Sequence, residues 1–111
     1  MSAPDITEAV TNAVYVGLFG MTIAQANVVL GLDQGTDEET RRDRMGVLAL
    51  EALAAVESAM TDSFKKMPKH VSMSLIQLTT FAQGMGEISA NHYADHGIRG
   101  ADLLTRDEVK S

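Results

Sequence analysis

Charged side chains vanish from the chain between Ala9 and Leu32, a run of 24 positions. Its apolar members, Val10, Val14, Val16, Leu18, Phe19, Met21, Ile23, Val28, Val29 and Leu30, do not alternate with period two. They crowd nearly all round a helix, interrupted by Asn12, Gly17, Gly20, Gln25 and Asn27. Pro4 suits a first helical turn, Asp5 and Glu8 suit the positive end of the helix dipole, and Gly31 and Gly35 close the element with a turn. The pattern predicts a first helix over roughly 5–32.

A second helix, over roughly 37–67, opens at Thr36-Asp37-Glu38-Glu39, which fits a capping box with Thr36 as N-cap and Glu39 reaching back. Asp37–Arg41 and Glu38–Arg42 are acid-before-base pairs four residues apart, suited to a solvated face. Met45, Leu48, Ala52, Val56, Ala59 and Met60 follow at three/four spacing, widened by Ala49 and Leu53. Lys65 and Lys66 suit the helix end, and Pro68 stops it. A third helix is expected over roughly 69–96, with Val71, Leu75, Leu78, Ala82 and Met85 in one row and Gly97 just beyond its end. Between Val71 and Ala94 the one formal charge is Glu87. The tail, 97–111, has capping-box spacing from Thr105 to Glu108 and reads as a short helix or a flexible end. The expected fold is all-α: one domain over 1–111, a long helical hairpin of about three helices with a short tail.

Composition narrows the function. At 111 residues, 45% apolar and 22% charged, the chain can bury one core but not two. The absence of cysteine excludes disulfides, thiolate catalysis and Cys-ligated zinc or iron–sulfur centres. A net charge of −6 repels phosphate backbones, which argues against nucleic acid as a partner. No grouping of residues fits acid–base or nucleophilic catalysis, so neither an enzyme nor a cofactor is expected. Met1 to Asp5 holds no lysine or arginine, so a secretory n-region is missing and a cytoplasmic location is expected.

Two helices without charges are the anomaly. A three-helix monomer leaves about half of each helix in water, and that half is normally lysine and glutamate. Here it would be Thr, Asn, Gln, Ser, Ala and Gly. Helices of this kind are usually enclosed by protein or by lipid. The 9–32 run is long enough for a bilayer, and a small membrane-active protein of pore or holin type is one alternative. Asn12, Gln25 and Asn27, with no flanking lysine or arginine, favour protein instead. Gly17, Gly20, Ala82, Gly84 and Gly86 are the candidate assembly contacts, because small residues let helix backbones approach closely.

Ile6-Thr7-Glu8-Ala9-Val10-Thr11 resembles the opening of the killing-trait, or refractile-body (R-body), structural proteins. Leu75-Ile76-Gln77-Leu78, followed by Ala82-Gln83-Gly84-Met85-Gly86, resembles the alanine-glutamine-small-methionine-glycine pattern of their central helix. The resemblance implies a polymer: protein ribbons, built from copies of the chain or from the chain with close paralogues, rolled up inside a bacterium, that unroll as pH falls and rupture membranes. Glu51, Glu57 and Glu87 are then candidate proton switches, since enclosure at a subunit contact raises a carboxyl pKa. His70, His92 and His96 would act in the opposite sense by gaining charge over the same range. His92 and His96, four apart on one helix, also have the spacing of a metal pair and define a second alternative, a metal-binding helical bundle; the bland reading is a helix end that suits histidine.

Overall fold

The computed structural model describes residues 3–68 and 72–109. Six helices follow one another, α1 (Ala3–Phe19), α2 (Ile23–Val29), α3 (Glu38–Arg44), α4 (Val47–Lys66), α5 (Leu75–Ala94) and α6 (Ala101–Thr105), with no strand among the described residues. The chain is all-α, as its hydrophobic spacing predicts. The continuous three-helix hairpin is not what forms, because each of the expected helices is interrupted or shortened.

The first break separates α1 from α2. Gly20 takes φ +70°, and Thr22 caps α2 by accepting from the Gln25 N–H at 3.2 Å while Gln25 Oε1 accepts from the Thr22 N–H at 2.8 Å. Asn12, about two turns back along α1, accepts the Ile23 N–H through Oδ1 at 2.9 Å and so satisfies a donor that the bend frees. The two segments meet at 56°, and no single helix among the described residues is long and apolar enough to cross a membrane.

The second expected helix breaks at Met45-Gly46, both in extended conformation. The N-cap of α3 is Asp37, whose Oδ1 accepts from the Thr40 N–H at 2.9 Å, rather than Thr36, whose hydroxyl turns back to the Asp33 carbonyl at 2.7 Å. α4 then begins under the C-terminal segment. The Leu104 carbonyl accepts from Gly46 N–H (3.1 Å), Asp107 Oδ1 from Val47 N–H (3.2 Å) and the Arg106 carbonyl from Leu48 N–H (3.2 Å), so the orphan donors of α4 are met from far along the chain. The approach is so close that a Cβ on Gly46 would run into the Arg106 carbonyl. The tail is therefore integral: α6 fills part of the core with fully buried Leu103 and Leu104, and Thr105 ends this helix instead of capping a new one.

α5 starts at Leu75, later than expected, because Ser74 and Gln77 form a reciprocal capping box. At its other end Gly97 adopts φ +76° and the Ile98 N–H returns to the Tyr93 carbonyl at 3.1 Å, which turns the buried Ile98 inward. Together the elements make a slab measuring 47 × 31 × 18 Å, about two helix diameters thick. Its core joins Tyr15, Leu18 and Phe19 of α1 to the predicted stripe of α4 (Leu48, Ala49, Ala52, Leu53, Val56, Met60) and to Ala82, Ile98, Leu103 and Leu104.

Candidate functional site

The two charge-poor helices lie against each other. Ala9, Ala13 and Gly17 form a row of small residues on α1, and Ala82, Gly86 and Ala90 form another on α5. At the crossing the backbones nearly touch: a Cβ on Gly86 would stand 2.7 Å from the Val14 carbonyl and 2.9 Å from the Leu18 nitrogen, and one on Gly17 would strike the Gln83 carbonyl. Three of the five candidate assembly residues, Gly17, Ala82 and Gly86, are thus occupied inside the chain. Gly20 serves the α1–α2 bend through its positive φ. Gly84, like Gly20, has nothing within 4 Å of its Cβ position, and unlike Gly20 it lies within a helix.

Gly84 lies on the side of α5 turned away from α1. Ile76, Thr80, Gly84 and Ile88, four residues apart, form a slanted row across that outer face, and the two isoleucines are 77% and 67% exposed. Beside this row the space between α4 and α5 opens into a groove of about 410 Å³, floored by Val56 and Tyr93 and walled by Ala55, Ala59, Met85 and Ile88. Phe64 of α4 and Phe81 of α5 pack against each other with ring centroids 5.8 Å apart. Ile76 and Ile88 are the most exposed large apolar side chains among the described residues.

The candidate proton switches are exposed within the chain. Glu51 points to solvent near Tyr93, whose hydroxyl pKa is raised chiefly by burial and secondarily by the Glu51 charge. Glu57 accepts from Arg42 Nη2 at 2.6 Å, and the same guanidinium holds Glu38 at 2.8 Å, linking α3 to α4. Glu87 has the Gln83 amide within 3.5 Å. His92 and His96 are exposed with ring centroids 6.4 Å apart, and His70 lies outside the described residues. Among the described residues no group of three or more His, Cys, Asp or Glu side chains gathers as a metal site would require.

The site that sequence reasoning missed is built on Arg41. Instead of pairing with Asp37 on a wet face, Arg41 turns inward and is 4% exposed. Its Nε donates to the Tyr15 hydroxyl at 2.9 Å, its Nη1 to the Thr36 carbonyl at 3.1 Å and to Asn27 Oδ1 at 3.4 Å. The fully buried Asn27 in turn donates through Nδ2 to the Gln34 and Thr36 carbonyls at 2.9 and 3.3 Å, so one polar network ties α1, α2, the 30–37 loop and α3 together. Tyr15, also fully buried, has its pKa raised by desolvation, an effect that the hydrogen bond from Arg41 and its charge oppose. The guanidinium carbon stands 5.2 Å from the Tyr15 ring centroid. The signal lay in the sequence: a tyrosine and an asparagine inside a charge-free run must be hydrogen-bonded once buried.

In comparisons with known proteins, no family model matches the chain, and neither a curated protein nor a solved structure matches it significantly.

Proposed function

We propose that the chain is a structural subunit of a self-assembling, pH-responsive ribbon or filament of the R-body kind, formed with copies of itself and paralogous subunits, whose extension on acidification disrupts membranes. The observation that carries this reading is the outer face of α5. With α1 covering one side of that helix, the other still presents Ile76 and Ile88 to water with small or uncharged residues between them. Isolated exposed isoleucines are ordinary, but a row of them on a helix whose one formal charge is Glu87 is what an unfilled helix–helix contact looks like. A second copy fits it chemically: the row is small at Gly84, where another backbone can approach, and apolar at both ends. The stretches that resemble R-body proteins, 6–11 and 75–86, belong to the two helices of the α1–α5 pair, which supports the reading further.

The pH response follows from coverage. Glu87, His92 and His96 are exposed within the lone chain, and a neighbouring copy laid along α5 would bring its own charges close to theirs, so that assembly depends on charge and therefore on pH. The experiment is negative-stain electron microscopy with sedimentation velocity at about pH 7 and about pH 5, bracketing the histidine and perturbed-carboxyl range. Ribbons or filaments whose form changes between the two conditions, lost in Ile76→Glu/Ile88→Glu, are expected. A lone monomer under both conditions at high concentration would overturn the proposal.

A further inference from the structure

The Arg41 network has an unfilled side. Arg41 forms no ion pair among the described residues, and its hydrogen bonds use Nε and Nη1. Among the described residues the two N–H groups of Nη2 find no acceptor, yet no buried side-chain nitrogen or oxygen is left without a partner, so this edge of the guanidinium is not sealed. Arg41 lines a cleft of about 610 Å³ between α1, the 30–37 loop and α3, and the open edge belongs there.

What surrounds that edge is of the opposite character. Thr11 and Thr36 line the cleft, and their hydroxyl protons are committed to the Thr7 carbonyl at 2.9 Å and the Asp33 carbonyl at 2.7 Å. Each hydroxyl therefore has lone pairs left to offer rather than a donor. Glu8 and Glu38 also line the cleft, and Arg42 occupies only Oε1 of Glu38. The cleft thus holds the two N–H donors of Arg41 Nη2 and a rim of acceptors, two of them carboxylates. A phosphate or sulfate would meet the Glu8 and Glu38 charges, and a simple cation would meet the guanidinium. A molecule carrying one carboxylate and one ammonium a few ångströms apart satisfies both.

We propose that this cleft binds a small zwitterion of the amino-acid type, its carboxylate on the free edge of Arg41 and its ammonium towards Glu8 and Glu38. The site lies away from the outer face of α5, so it stands or falls independently of the assembly reading. Arg41 supplies the positive charge of the site: both N–H groups of Nη2 are left to donate to a carboxylate, while Nε and Nη1 stay on Tyr15, Thr36 and Asn27.

Ligand-observed saturation-transfer NMR on the full chain tests this whether the chain is monomeric or assembled. The probes are glycine, acetate, methylamine and inorganic phosphate. Glycine should show saturable transfer, with acetate and methylamine each weaker by about tenfold because each lacks one of the two charge pairings. Phosphate should show none. Glu8→Gln, at an exposed position, should weaken glycine by at least about fivefold, should not weaken acetate, and should leave the thermal unfolding curve unchanged. Absence of saturable glycine transfer up to about 100 mM, phosphate binding as tightly as glycine, or a Glu8→Gln chain that binds glycine as before would each overturn the proposal.

Discussion

Gly86 of α5 lies directly over the Val14 carbonyl of α1, with room for a hydrogen but not for a methyl group. Two turns of each helix are set by this proximity, and it distinguishes glycines that look alike in sequence. Gly86→Ala must push the helices apart, at a cost of about 1–3 kcal/mol for overpacking, partly offset by about 1 kcal/mol of helix propensity. Gly84→Ala, two positions away and open to solvent, should instead raise stability by up to about 1 kcal/mol. Urea unfolding of the two variants side by side checks the sign of each change.

Tyr15→Phe should cost about 1–3 kcal/mol, because the Nε donor of a buried guanidinium is left without its acceptor. Chemical denaturation at neutral pH measures it. Arg41→Lys should cost more than its charge conservation suggests, since one ammonium cannot reach Tyr15, Asn27 and Thr36 together.

The same tyrosine sets an alkaline limit. Its folded-state pKa lies above the ordinary 10.0, as does that of Tyr93, so the unfolded chain gives up these protons first. Stability is therefore fully present below 10.0 and falls as pH rises beyond that value. Tyr15→Phe should flatten part of the decline, and Tyr15→Phe/Tyr93→Phe more of it. Asp37 works at the acid end: the hydrogen bonds from Thr40 hold its carboxyl below the usual 3.8, so its contribution is present above that value and lost as pH falls through the lowered pKa. Unfolding curves across pH, with Asp37→Asn for comparison, test both limbs.

The C-terminal segment should prove indispensable to the fold. Leu104→Ala removes a fully buried side chain and should cost about 2–5 kcal/mol. Asp107→Ala deletes the side-chain acceptor of the Val47 N–H and should cost about 1 kcal/mol, the ordinary value for a lost helix cap. Hydrogen exchange at Gly46, Val47 and Leu48 should accelerate in both variants.

Much of this architecture was legible in the sequence. Helical spacing located every long element, Pro68 and Gly97 marked two ends, and the Leu48–Met60 stripe is the face that α4 buries. What escaped were events decided by long-range contacts. The spacing of residues 37–67 reads as one helix because nothing nearby announces that Gly46 must lie against residues 104–107. Thr22-x-x-Gln25 and Ser74-x-x-Gln77 were readable capping boxes, hidden within apolar runs that suggested continuity. Arg41 looked like a partner for Asp37 because four-residue spacing counts as a pair on any solvated helix; only the placement of Tyr15 and Asn27 shows which way it turns. The small residues did predict close backbone approach, but composition alone does not distinguish contact within a chain from contact between chains.

The start of α4 is held by Asp107, 60 positions downstream. A nascent chain must therefore release residues 104–107 from the ribosome before the first turn of α4 can be sealed. During synthesis that turn is open to chaperones or to premature association with sister chains. Any copy cut short upstream of Leu103 would keep it open permanently, giving the cell's proteases a straightforward means of telling finished molecules from fragments.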